Sequence, residues 1–122
     1  MDSILSTVKK LIGGIAKDDD HFDVDIITHI NSVFLELSQI GIGPEEGFSI
    51  SDETSTWDEF IEPGAIQNAV RTYVYLKVKL IFDPPSSSFV IESINKTLDK
   101  LEWRLNSASE TRKEADLWVI FI

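Results

Sequence analysis

The chain has 122 residues, 43% of them hydrophobic, which fits one globular domain with a single modest core. Its formal net charge of −10 argues against a protein that grips a nucleic-acid backbone, because that affinity comes from clustered lysine and arginine side chains. The absence of cysteine excludes a disulfide framework and a thiolate metal site. No apolar run approaches the ~20 residues that span a membrane, so no membrane partner is expected.

Hydrophobic periodicity in the first third of the chain predicts two helices with an acidic linker between them. A short helix ends at Gly13, and a second helix begins with Asp23 as its N-cap and ends at Gly41. The linker, residues 17–25, contains five aspartates and His21. It lacks the glycine and the glutamate of a calcium-binding loop, so it is interpreted as a solvated linker and no metal site is predicted.

Residues 42–64 form the least regular part of the chain. Glycine and proline residues mark turns, and residues 48–50 could form a very short extended piece. One or two helical turns at residues 56–61 should press Trp57, Phe60 and Ile61 inward. Trp57 and Trp103 are more often core anchors than contact residues, although tryptophan is also enriched at interfaces.

The chain is organised around two longer helices joined by a rigid corner. The first proline of the corner moves Asp83 out of the helical region, and neither proline can donate a backbone hydrogen bond. The serines that follow can cap the next helix. These features predict an antiparallel helical hairpin, with the corner formed by Asp83, Pro84, Pro85 and Ser86. The first helix has two neighbouring apolar stripes, one at Ile66, Ala69, Tyr73, Leu76 and Leu80 and one at Val70, Val74, Val78 and Ile81. The second helix has one stripe, at Ile91, Ile94, Leu98, Leu101 and Leu105.

Beyond about residue 106 the composition changes to a polar spacer and then to an uncharged apolar run that is β-prone. This run could be a last strand of the core, an arm that adds to a neighbour, or an appended end. The polar spacer favours the arm, because exposed apolar surface needs cover. The sequence therefore predicts an all-α fold, a small helical bundle built on the hairpin, with an irregular loop at 42–64 and an extended C-terminal arm; the helical domain is residues 1–106, and residues 107–122 are the spacer and arm.

No set of residues predicts catalysis or a cofactor. His21 and His29 are the only histidines, and neither has a cysteine, serine or second histidine at a catalytic spacing. There is no glycine-rich phosphate loop and no distinct carboxylate pair. No enzyme activity, catalytic residue or cofactor is expected.

Three stretches of the chain resemble the small head–tail connector, or adaptor, proteins of long-tailed bacteriophages. They are HINSVFLELSQIGIGPEEGFSI, TWDEF and YVYLKVKLIFDPPSSSFVIESINKTLDKLEWRLN. The likeness covers roughly residues 20 to 106, and its most specific part is the FDPPSSSFV corner followed by a helix that closes in LEWRLN. The last dozen residues match no family pattern.

The resemblance implies a structural protein of the virion, present in the host cytoplasm before assembly. Such connectors are all-helical domains that assemble, usually as about twelve copies, into a ring beneath the portal protein. The ring extends the DNA channel without binding DNA specifically and presents a surface to the next head-completion or tail protein. The residues expected at partner or subunit contacts are Leu117, Trp118, Val119, Ile120, Phe121, Ile122, Trp57 and Phe60.

An alternative is a small acidic helical protein that binds and inhibits a partner by imitating DNA. Such a mimic needs carboxylates spaced along one exposed face. Here the acidic residues cluster at the linker and near helix ends, and Lys96, Lys100 and Arg104 are interleaved on the last long helix. A small helical enzyme is a third class, and it needs a pocket with convergent polar groups.

Overall fold

A computed structural model describes residues 2–13, 15 and 18–121, with side chains described up to Thr111. The described residues form helices and contain no strand, so the predicted all-α class is confirmed. The helices are α1 (Ile4–Ile12), α2 (Asp23–Gln39), α3 (Trp57–Phe60), α4 (Ala65–Phe82) and α5 (Ser88–Phe121). The helix α4 contacts all the others, which places it at the centre of the bundle.

The first two helices begin and end close to their predicted positions. The Ser3 hydroxyl accepts a hydrogen bond from the Ser6 N–H at 3.2 Å, and Gly13 ends α1 with φ 79°. The predicted N-cap role of Asp23 is wrong by one residue, because Phe22 is the N-cap and makes no side-chain capping bond. Asp23 lies in the first turn instead, where its carboxylate faces Lys9.

The end of α2 is closed by a Schellman motif. The Ile42 N–H donates to the Leu37 carbonyl at 2.9 Å, and the Gly41 N–H donates to the Ser38 carbonyl at 3.0 Å. Gly41 has φ 88°, a conformation that other residues rarely adopt. Ile42 is buried, so the motif also fixes where the irregular segment enters the core.

The Asn31 side chain of α2 holds the backbone of the irregular segment 42–64. Asn31 accepts a hydrogen bond from the Ile50 N–H at 2.8 Å and donates to the Ile50 carbonyl at 2.9 Å. Residues 48–50 form no strand, because Asn31 takes the hydrogen bonds that a neighbouring strand would make. The Phe48 ring also packs edge-on against Phe34.

Replacing Gly43 with alanine is expected to destabilise the fold more than the same change at Gly47. Both glycines have φ near +90°, so both variants carry backbone strain of about 1–2 kcal/mol. A Cβ at Gly43 would also lie 2.7 Å from Phe60 Cζ, whereas a Cβ at Gly47 meets no atom within 4 Å. Overpacking should add about 1–3 kcal/mol to the loss for Gly43→Ala. Equal midpoints of urea unfolding for the two variants would contradict the close approach of this loop to Phe60.

The two long helices begin and end at the predicted corner. The Asp83 N–H donates to the Lys79 carbonyl at 2.9 Å as the last bond of α4, and the Val90 N–H approaches the Ser87 hydroxyl at 3.4 Å at the start of α5. Helices α4 and α5 are in contact, as a hairpin requires. The predicted stripe of Val70, Val74 and Val78 is the deepest face of α4, but the prediction is wrong for Ile81, which is exposed.

The predicted extended C-terminal arm is wrong, because α5 continues as one helix of 34 residues to Phe121. Residues 106–116 are polar, but they include alanine, glutamate, lysine and arginine, which favour helix, and no glycine or proline interrupts them. The polar composition of this stretch therefore does not end the helix. Among the side chains that the structure describes, the buried seam of α5 consists of Leu98, Leu101, Leu105 and Ser109.

Candidate assembly surfaces

Two of the predicted contact residues lie in the core of the single chain. Trp57 is 1% exposed and Phe60 is 3% exposed, and both rings pack against Phe34. The core-anchor interpretation is therefore confirmed for Trp57. It is wrong for Trp103, which is 71% exposed. A contact role for Trp57 and Phe60 stays a prediction.

A network of hydrogen bonds and one ion pair connects the start of the chain to α4. The sequence did not predict this network. Arg71 Nη1 lies 2.8 Å from Asp2 Oδ2, and Arg71 Nη2 donates to Gln67 Oε1 at 2.9 Å. The buried Gln67 amide in turn donates to Asp58 Oδ1 at 2.7 Å and to the Ile61 carbonyl at 2.9 Å. The hydrogen bond from Arg71 and its charge lower the pKa of Asp2. The network joins the N-terminal segment, α3 and α4 into one unit.

A buried lysine of α1 binds two residues of the acidic linker. Lys9 is 6% exposed, and its Nζ lies 2.8 Å from Asp23 Oδ1 and donates to the Asp19 carbonyl at 2.7 Å. Asp18, Asp20 and Asp25 are exposed, as a solvated linker predicts. In the part of the chain that the structure describes, no group of three His, Asp or Glu side chains is arranged to hold a metal ion.

Exposed apolar side chains surround the corner between α4 and α5. This corner surface consists of Phe22, Ile81, Phe89 and Val90. The Phe22 ring packs edge-on against Phe82 with centroids 5.4 Å apart, so the start of α2 lies beside the end of α4. Of the predicted corner residues, Asp83, Pro84 and Ser86 are exposed and Pro85 is half-buried. The corner is therefore an accessible apolar end of the bundle, and apolar surface of this kind often marks a contact site.

The predicted C-terminal contact residues lie at the far end of the longest helix. Residues 117–121 belong to α5, and their side chains and Ile122 lie outside the described residues. With a rise of about 1.5 Å per residue, α5 is about 51 Å long and α4 is about 27 Å long. The backbone of α5 therefore outruns that of its neighbour by about 24 Å.

No helix in the described ranges is both long enough and apolar enough to cross a membrane.

Comparison with known proteins identifies one family. A family model described as phage connector protein matches residues 4–112, which include α1 to α4 and most of α5. Comparisons with curated proteins and with solved structures find no match. The family model covers most of the 122 residues, and it includes the corner and the helix that the sequence singled out. The chain therefore belongs to the phage connector protein family, whose members have a structural role at the junction of head and tail.

Proposed function

We propose that this protein forms a ring beneath the portal of the phage head, extends the DNA channel and provides the attachment surface for the next head-completion or tail protein. The observation that carries the proposal is the family match over residues 4–112. About twelve copies would form the ring, as cyclic assemblies repeat one contact around an axis. The protein would reach the virion from the host cytoplasm, and no reaction would be catalysed.

The surfaces of the bundle support assembly of this kind. A ring needs two different surfaces on each subunit that fit each other, because its contacts are head-to-tail. The corner surface offers exposed apolar area at one end of the bundle, and α5 extends beyond α4. We propose that the apolar residues 117–122 dock on a neighbouring subunit or on the portal. Burial of apolar area would then offset the loss of freedom on association.

The net charge of −10 supports passage of DNA without capture. Carboxylates on the wall of a channel repel phosphates, so a polymer can move past them without sticking. The acidity is equally compatible with an inhibitor that imitates DNA, but the family match favours the connector.

Co-sedimentation with tailless, DNA-filled heads of the source phage tests the proposal. We expect saturable binding of about a dozen copies per head, the number of subunits that one closed ring would contribute. Absence of binding by the full-length chain would contradict the proposal and favour the acidic inhibitor.

Removal of residues 117–122 is expected to weaken head binding while leaving the thermal unfolding temperature of the bundle nearly unchanged. A chain of equal length with a Gly/Ser sequence at 117–122 is the matched control, since it keeps the length and loses the apolar side chains. If this control bound heads as well as the natural chain, the apolar run 117–122 would have no docking role.

A further inference from the structure

The outer face of α5 exposes a large aromatic side chain. Trp103 is 71% exposed, and it lies on the opposite side of the helix from Leu101 and Leu105, which are buried. Residues two apart on a helix point roughly 160–200° away from each other, so the buried seam cannot cover Trp103. Exposed tryptophan is characteristic of contact surfaces, where its large rigid ring contributes much of the binding energy.

The depression beside Trp103 has two basic side chains and one acidic side chain. Lys100 and Arg104 flank Trp103, and with Asp99 these residues line a shallow depression. Neither Lys100 nor Arg104 makes a hydrogen bond or ion pair with any residue in the described part of the chain, whereas Lys9, Arg71 and Lys77 each pair with a carboxylate. A depression with an aromatic wall and two unpaired cations suits a carboxylate-bearing loop.

We infer that the Trp103 face, formed by Lys100, Trp103 and Arg104, binds residues 41–64 of a second copy of the chain. Residues 41–64 are called the acidic loop. The inference rests on the proposed ring, because it names the two surfaces that meet between neighbouring subunits. It assigns Lys100, Trp103 and Arg104 to one side of the contact and Glu45 and Glu46 to the other.

The acidic loop carries the negative charge that the basic side chains of the Trp103 face require. Residues 41–64 contain seven carboxylates and no lysine or arginine. Glu45 and Glu46 are exposed and make no hydrogen bond or ion pair with a described residue. The loop is also held in place by the Asn31 bonds to Ile50, so little order would have to be gained on binding.

The acidic linker is less suited than the acidic loop to bind the Trp103 face. Lys9 already neutralises Asp23 and holds the Asp19 carbonyl. Asp23 and Asp25 lie in the first turn of α2, where the positive end of the helix favours them.

A nucleic acid is a poor occupant for the same helix. A phosphate backbone would run along the helix past Glu92, Glu102 and Glu110, which would repel it, whereas one loop needs only the depression at Lys100 and Arg104. A second copy fits better, because subunits with a net charge of −10 repel each other at long range and need an opposite-charge contact to set their register.

Charge reversal tests the contact. The double variant Lys100→Glu/Arg104→Glu should bind tailless heads at least tenfold more weakly than the natural chain. The variant Glu45→Lys/Glu46→Lys should be impaired similarly, and the chain that carries all four changes should recover most of the binding. The matched control Lys10→Glu/Lys79→Glu introduces the same change in net charge away from this face and should bind like the natural chain. Thermal unfolding of every variant verifies that the bundle is folded.

Two outcomes overturn the inference. Equal binding by Lys100→Glu/Arg104→Glu and the Lys10/Lys79 control would show that the Trp103 face is not a contact. Impaired binding without recovery in the four-change chain would show that the face meets a different partner, such as the portal.

Different experimental results contradict the inference and the proposed function. Absence of head binding by the natural chain would contradict the proposed function alone. Sedimentation velocity of the free protein at low salt then decides the inference: self-association should be at least tenfold weaker for Lys100→Glu/Arg104→Glu and recovered in the four-change chain. Self-association that the reversal leaves unchanged would overturn it.

Discussion

Leu98→Asp is expected to lower the thermal unfolding temperature of the protein sharply. Leu98 is 5% exposed on the buried seam of α5, beside the layer that Leu101 and Leu105 complete. An aspartate there would be a buried charge without a partner, which costs about 3–5 kcal/mol. Domains of this size are stable by only about 5–15 kcal/mol, so the loss removes a large share of the total. Circular dichroism during thermal unfolding measures the change.

Asn95→Asp is the matched control for this prediction. It introduces the same side chain into the same helix at an exposed position, and it should change the free energy of unfolding by less than about 0.5 kcal/mol. If Leu98→Asp unfolded at the same temperature as Asn95→Asp, the assignment of the buried face of α5 would be incorrect.

Trp57→Ala is expected to lower the free energy of unfolding by about 3–5 kcal/mol. The Trp57 ring lies in the core with its centroid 6.3 Å from that of Phe34, and the Arg71 guanidinium carbon lies 5.5 Å from the Trp57 centroid. The substitution therefore leaves a cavity and also removes a support of the network that joins Asp2 to α4. Urea unfolding followed by circular dichroism gives the size of the loss.

Trp103→Ala makes the same chemical change on the outer face of α5. It should leave the free energy of unfolding within about 0.5 kcal/mol of the natural value, because the side chain is mostly in solvent. Similar losses of stability in the two tryptophan variants would contradict the placement of Trp57 in the core and Trp103 on the surface.

Local sequence signals predicted the body of the fold. Two prolines in succession stop a helix wherever they occur, so the corner and the end of α4 at Phe82 could be assigned without tertiary information. The Gly41 position was equally informative, because a helix that ends in a Schellman motif needs a residue that tolerates positive φ. These features depend on neighbours within a few residues.

The contacts that the sequence did not predict join residues far apart in the chain. Asp2 and Arg71 are 69 positions apart, and nothing local indicates that they meet. Gln67 looks like an exposed polar residue near a helix start, but Asp58 and the Ile61 carbonyl supply its hydrogen bonds, so it can be buried. The full length of α5 does not follow from local composition, because the change in polarity near residue 106 is also typical of a helix end.

The candidate contact surfaces also depend on contacts between residues that are distant in the sequence. Tryptophan at 57 and at 103 has the same intrinsic preference, and only packing against Phe34 distinguishes the buried ring from the exposed one. The corner surface combines Phe22 with residues 59 or more positions later in the chain, so its existence follows from the arrangement of the helices.

Cryo-electron microscopy of the portal vertex tests the central claim most directly. Tailless heads are imaged before and after addition of the purified protein, and the densities at the portal are compared. The account predicts a new closed ring that caps the portal and continues its channel, with the long helix of each subunit in contact with a neighbour. Unchanged density at the portal, or added protein distributed over the shell of the head, would contradict it.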